Sequence, residues 1–120
     1  MASDYSYGRR KELQVAEFLE RRGFAWGRTP GSRGFFDLIA RRGRLSLTIQ
    51  VKSTRGLSIS YTRLTIREET SLLQYCEGSR VTPAVALVSR NYVWLVRIPD
   101  GEEIFKGTLK SLKYEYPYEN

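Results

Sequence analysis

The stretch LSLTIQVKS, at positions 45–53, decides the fold because apolar and polar residues alternate along it. Successive side chains of a β-strand point to opposite faces of the sheet, so the alternation predicts a strand that is buried on one face. The apolar face carries Leu45, Leu47, Ile49 and Val51, and the polar face carries Ser46, Thr48, Gln50 and Lys52. We therefore expect Gln50 and Lys52 to project from the same face of the sheet.

The patterns on either side of this strand predict a single α/β domain over residues 1–120. A capping-box pattern at Thr65 and Glu68 opens a helix after the strand. The run PAVALV at 83–88 is apolar on both faces, which is typical of a central strand covered by helices on both sides. The expected architecture is a mixed five-stranded sheet flanked by helices, in the order α-β-β-β-α-β-β. The predicted elements are a helix at 7–22, strands at 24–28, 35–40 and 45–53, a helix at 65–77, and strands at 82–89 and 92–99.

Residues 100–120 form a tail in which polar, charged and aromatic residues are mixed. The tail predicts only an edge strand near 103–106 and a short helix near 108–112. It adds no second domain, because the whole chain has 120 residues.

Composition excludes several classes of enzyme. The chain has no histidine, which removes Ser-His-Asp and Cys-His catalysis and His-ligated zinc. Its one cysteine, Cys76, cannot form an internal disulfide, so we expect a reducing, cytoplasmic location. No apolar run is long enough to cross a membrane, and no membrane partner is expected.

Positive charge is concentrated in the first half of the chain. The net charge of the whole chain is +7, and residues 1–58 contain 12 basic and 5 acidic residues. Arginine clusters recur at 9–10, 21–22 and 41–44, and the planar guanidinium matches the oxygens of phosphate. A basic surface that merely keeps the protein soluble is the alternative, but this segregation favours a nucleic acid as the partner.

A strand hairpin brings candidate functional residues together. If the chain turns around Gly43, Asp37 and Gln50 stand near each other across the two strands, with Lys52 close by. A carboxylate, an amide and an ammonium group then converge. Taken singly, Asp37 also fits a structural acid and Lys52 also fits a solvated strand face.

Four short motifs in this order resemble those of the PD-(D/E)XK nuclease superfamily. They are Glu12 on the first helix, RTPGS at 28–32, FDLIA at 36–40 and IQVKS at 49–53. Within the superfamily, the arrangement is most similar to the archaeal Holliday junction resolvases, and the resemblance covers about residues 8–97. It implies a restriction-endonuclease-like core and an endonuclease that cleaves branched DNA.

The resemblance also implies roles for individual residues. Asp37, Gln50, the Val51 carbonyl and Glu12 would hold Mg²⁺ or Mn²⁺, and Lys52 would orient the attacking water. Ser32 matches the loop serine of the family and would contact the phosphate near the bond to be cleaved. The residues expected to bind DNA are Arg9, Arg10, Lys11, Arg28, Arg33 and Arg55.

Gln50 is the main departure from the family pattern. The family has an acid at this position, and glutamine offers only a neutral amide oxygen to a cation. Two hypotheses follow: a metal-dependent nuclease, and a DNA-binding module with a degenerate nuclease site.

Assembly is a separate expectation. Paired cuts in a two-fold symmetric junction imply a homodimer, with an interface drawn from the aromatic residues of the second half. The candidates are Tyr92, Trp94, Tyr114, Tyr116 and Tyr118. The alternative places Trp94 in the domain core.

Overall fold

The structure, a computed structural model, describes residues 4–29, 36–114 and 116. In these ranges the chain forms two α-helices, one short 3₁₀ turn and six strands. The elements are α1 (Asp4–Glu20), β1 (Ala25–Arg28), β2 (Leu38–Arg42), β3 (Leu45–Thr54), a 3₁₀ turn (Tyr61–Arg63), α2 (Ile66–Cys76), β4 (Val81–Ser89), β5 (Tyr92–Arg97) and β6 (Glu103–Thr108). None of the helices in this part of the chain is long and apolar enough to span a membrane.

The six strands form one mixed sheet in which their order follows the order of the chain. β3 and β4 pair in parallel, and every other neighbouring pair is antiparallel. A parallel pair needs a crossover between its strands, and α2 lies in that connection. The expected mixed α/β fold is confirmed.

Helices cover both faces of the sheet, as the apolar run in β4 predicts. On one face, α1 packs Phe18 and Leu19 against a core that includes Ile49 and Ala86. On the other face, Leu72 of α2 belongs to a second core with Val85, Leu87 and Val96. Neighbouring residues of β4 therefore enter different cores, because the side chains of a strand alternate between faces.

Local signals explain where the helices begin and end. α1 ends at Glu20, and the turn that follows closes at Gly23, whose N–H donates to the Glu20 carbonyl at 3.0 Å. Its φ of 87° suits glycine, which has no β-carbon to clash in this left-handed region. Both hydrogen bonds of the predicted capping box form at the start of α2, between Thr65 and Glu68. The predicted turn of the first hairpin is confirmed, since Arg42 pairs with Leu45 around a Gly43 whose φ is 58°.

Two sequence expectations need correction. The sheet has six strands rather than five, because the edge strand expected near 103–106 forms as β6 and pairs with β5. The helix expected at 108–112 is absent from the described chain. Thr108 ends β6, and residues 109–112 have no regular secondary structure. Contacts with α1 hold the chain here: the Gln14 amide donates to the Lys110 carbonyl at 2.8 Å, and just beyond the segment Glu17 accepts from the Lys113 N–H at 2.8 Å.

Candidate active site

The register of β2 against β3 brings Asp37 to Gln50. Leu38 pairs with Ile49, so Asp37, one residue before β2, faces the next residues of β3. Its carboxylate oxygen Oδ2 accepts from the Val51 backbone N–H at 2.8 Å and from Gln50 Nε2 at 3.2 Å. The expected approach of Asp37 and Gln50 is therefore observed.

The Val51 carbonyl lies on the same edge of β3 as Asp37. The Asp37 N–H donates to the Ile49 carbonyl at 2.8 Å, which shows that this carbonyl points toward the β2 side. Residues two apart in a strand present their backbone groups to the same neighbour. The Val51 carbonyl is thus a neutral oxygen close to the Asp37 carboxylate.

Glu12 approaches this group from α1. Its pKa is raised to about 7, first by burial and then by the nearby Asp37 carboxylate, while the Arg9 guanidinium opposes both effects. Burial also raises the pKa of Asp37, against the Val51 N–H and the Lys52 ammonium, which favour the charged form. Two carboxyl groups on different elements therefore share one partly buried region.

Lys52 is held by an acid that the sequence analysis did not place at the site. Its ammonium nitrogen lies 2.5 Å from Glu68 Oε2, and both side chains are mostly shielded from solvent. The other oxygen of Glu68 accepts the Thr65 backbone N–H at 2.9 Å as part of the capping box. Burial opposes ionisation of Glu68, but the hydrogen bonds from Lys52 and Thr65 hold its pKa below the usual value.

The predicted basic residues do not all reach this region. Arg9 lies near the acids, since it lowers the pKa of both Glu12 and Asp37. Arg28 ends β1 opposite Leu38, the residue that follows Asp37, and so lies beside the site. Arg10 is exposed on α1, and no contact within the described part of the chain places it among these residues. Ser32 and Arg33 lie outside the described residues.

The structure corrects the expectation for Lys11. This side chain is buried, with 6% of its surface exposed, and its ammonium donates to the Arg90 carbonyl at 2.8 Å. Burial lowers the pKa of Lys11, and the positive charge of Arg10 lowers it further. Lys11 therefore ties α1 to the turn between β4 and β5, and it does not face a DNA strand.

The other arginine clusters lie at the far end of β2 from Asp37. The Arg22 guanidinium stacks 3.6 Å from the centre of the Phe18 ring, and that of Arg42 lies 4.7 Å from the centre of the Phe24 ring. Arg42 also donates to the Arg22 carbonyl at 2.8 Å. These two cations pack on aromatic rings of the core, so the interpretation of every arginine cluster as a phosphate contact is too broad.

The groups near Asp37 that could bind a cation would do so through oxygen: the Asp37 carboxylate itself, the Gln50 amide and the Val51 carbonyl. Within the described ranges, no three Asp, Glu, His or Cys side chains are arranged to hold a metal ion. A cation bound at Asp37 would therefore also need the Gln50 amide oxygen, the Val51 carbonyl and water. This set of oxygen donors fits Mg²⁺ or Mn²⁺, and Mg²⁺ usually retains several waters in protein sites.

The fold is similar to that of Hjc, a Holliday junction resolvase from the archaeal hyperthermophile Archaeoglobus fulgidus. The two chains are 28% identical, with a TM-score of 0.65, over 86% of this chain and 84% of that chain. Fold and sequence together thus place the protein among the nucleases. A family model described as archaeal Holliday junction resolvase (Hjc) matches residues 3–106, and the chain belongs to this family.

We expect Glu12 to make the stability of the protein depend on pH. Its pKa is about 7 in the folded chain and near 4.5 in a free side chain, so the folded state binds the extra proton between these values. The free energy of unfolding should therefore fall as the pH rises through this window. Urea denaturation at pH 5 and pH 8 measures the change, and Glu12→Gln should reduce it.

Glu77→Gln is the control for this prediction, because Glu77 is an exposed glutamate at the end of α2. It should leave the pH dependence as it is in the wild type. If the free energy of unfolding depends equally on pH in the wild type and in Glu12→Gln, the pH dependence does not come from Glu12.

Proposed function

We propose that the protein is a divalent-metal-dependent endonuclease that cleaves four-way DNA junctions. The observation that carries the proposal is the convergence of Asp37, Gln50 and Val51 on one edge of β3, in a chain of the Hjc family. The A. fulgidus protein of similar fold is a Holliday junction resolvase, which supports a branched substrate.

The proposed metal ligands are Asp37, the Gln50 side-chain oxygen, the Val51 carbonyl and Glu12. Mg²⁺ or Mn²⁺ bound there would polarise a phosphate oxygen and the attacking water. In the structure, the NH₂ group of Gln50 faces Asp37. Its amide must therefore rotate to present its oxygen, a change of one side-chain torsion.

Each remaining residue has a role that follows from its charge. Lys52 orients the attacking water and stabilises negative charge on the phosphate, and Glu68 holds the Lys52 ammonium in place. Glu12 adds a second negative charge beside Asp37, which offsets in part the neutrality of Gln50. We assign phosphate contacts near the cleaved bond to Arg28, Ser32 and Arg33.

A non-catalytic DNA-binding module is the second candidate. It is favoured by the neutral Gln50 and by the lack of three metal-binding side chains of the acid, His or Cys type among the described residues. The two candidates differ in one property, because only a nuclease cuts a junction when Mg²⁺ or Mn²⁺ is supplied.

We expect Asp37→Asn to lower cleavage of a synthetic four-way junction by at least about a hundredfold, since it removes a charged metal ligand. Junction affinity should be unchanged or higher, because a negative charge next to phosphate is also lost. Gel assays of cleavage and binding separate the two effects. Asp100→Asn, the same change at the exposed turn between β5 and β6, should cleave as the wild type does. Full cleavage by Asp37→Asn would show that Asp37 is structural only.

Gln50→Glu tests the metal site without any DNA. When no metal is supplied, it replaces a hydrogen-bond donor to Asp37 with a second carboxylate, so we expect a loss of about 1–3 kcal/mol in the free energy of unfolding. Mn²⁺ should then raise the melting temperature of Gln50→Glu more than that of the wild type. Gln74→Glu, at an exposed position of α2, should gain no such response. Equal Mn²⁺ responses in all three proteins would place the metal elsewhere.

We also propose a homodimer, because a two-fold symmetric junction requires paired cuts. Tyr92, Trp94 and Tyr114 remain candidates for the interface, with 69%, 43% and 51% of their surface exposed. Tyr116 already makes a contact within the chain, since its hydroxyl donates to the Glu17 carboxylate at 2.6 Å. Tyr118 lies outside the described residues.

Sedimentation at micromolar concentration should give the mass of a dimer, and Trp94→Arg should shift the protein toward the monomer because it places a charge in an apolar interface. Circular dichroism checks that the variant is folded. A monomer both in free solution and on junction DNA would rule out the dimer.

A further inference from the structure

A polar pocket lies next to Lys52, at the carboxyl end of β3. Its volume is about 450 Å³, and three of its lining residues are the cations Lys52, Arg55 and Arg63. No aspartate or glutamate is among the residues that line it. The Lys52 ammonium is paired with Glu68, and the two guanidinium groups add positive charge to a lining without a carboxylate of its own. This excess of positive charge in the lining favours an anionic ligand.

The walls of this pocket are fixed by contacts with the backbone of β3. The Arg63 guanidinium donates to the Ser53 carbonyl at 3.1 Å, and the Tyr7 hydroxyl donates to the Thr54 carbonyl at 3.1 Å. The Arg55 guanidinium lies 4.2 Å from the centre of the Tyr7 ring. Three segments of the chain, α1, β3 and the 3₁₀ turn, thus hold the pocket open before any ligand binds.

Arg63 is well placed to bind an anion, because its backbone is anchored and its guanidinium has N–H donors to spare. It ends the 3₁₀ turn, and the following residue, Leu64, is buried in the second core, so the backbone of the turn is anchored. One Arg63 nitrogen is used by Ser53, and a guanidinium has further N–H donors for the paired oxygens of a phosphate.

We propose that this pocket binds a phosphate of the DNA backbone next to the phosphate that is cleaved, with Arg63 as its main contact. Lys52 belongs both to the pocket and to the candidate active site, so one strand of DNA can pass through both. The assignment of DNA as the polyanion rests on the proposed function. Arg55 is among the residues that the sequence predicts to bind DNA, whereas Arg63 is not, because its place beside β3 depends on the tertiary fold.

Binding of a fluorescent four-way junction in EDTA, over a series of NaCl concentrations, tests this proposal without cleavage. Arg63→Ala should weaken binding several-fold and reduce the slope of log affinity against log salt by about one, the value for one lost phosphate contact. Arg63→Lys keeps the charge and should recover most of the slope. Arg80→Ala is the matched control, since Arg80 is exposed and precedes the end of β4 that pairs with Ser46, at the opposite end of β3.

Junctions that carry one neutral methylphosphonate at a time identify the phosphate. Wild-type affinity should drop when the group lies beside the cleaved phosphate, and Arg63→Ala should show no further drop at that position, because the two changes remove the same contact. Equal effects of Arg63→Ala and Arg80→Ala on affinity would overturn the proposal. Inorganic phosphate binding that requires Arg63, without a methylphosphonate effect, would overturn it in favour of a site for small anions.

The same measurements distinguish this proposal from the proposed function. Suppose that Arg63→Ala weakens binding as expected, but the wild-type protein never cuts the junction with Mg²⁺ or Mn²⁺. The phosphate pocket would then be supported, and the proposed nuclease activity would be wrong. If the wild-type protein cuts the junction but Arg63→Ala binds it as well as Arg80→Ala does, the nuclease activity would be supported and the phosphate pocket would be wrong.

Discussion

The antiparallel pairing of β2 with β3 is the constraint on which the candidate site depends. Leu38 opposite Ile49 sets the register, and both side chains are fully buried under α1. A slip of one residue would turn every side chain of the strand to the other face and expose this apolar set. Burial of the core therefore fixes the register, and the register in turn keeps the Asp37 carboxylate hydrogen-bonded to the Val51 N–H.

Burial and charge oppose each other at the site. Burial raises the pKa of both Glu12 and Asp37, because a partly buried carboxylate loses solvation. Arg9 and the Val51 N–H offset part of that cost. Glu68 links this balance to the fold, since one of its oxygens caps α2 and the other holds Lys52. The start of a helix and the position of the ammonium thus depend on one side chain.

Net charge alone overstates how much of the basic surface can meet DNA. Lys11 directs its charge to a backbone carbonyl, and Arg22 and Arg42 cover aromatic rings at the end of the sheet away from Asp37. Long basic side chains have apolar stems and planar or compact heads, so they serve packing as readily as binding. Near the site, the positive charge comes from Arg9 on α1, from Lys52 and Arg55 on and just after β3, and from Arg63 in the 3₁₀ turn.

The sequence by itself determined the features that depend on near neighbours: the alternation in β3, the capping box at Thr65 and the hairpin at Gly43, and through that hairpin the approach of Asp37 to Gln50. These signals suffice because strand and turn geometry is periodic and local. Only the tertiary structure decided that Glu68 meets Lys52, that Lys11 is buried and that residues 109–112 lie against α1 without forming a helix. Each of these depends on contacts between residues that lie 16 to 96 positions apart in the sequence, and a local pattern cannot predict such contacts.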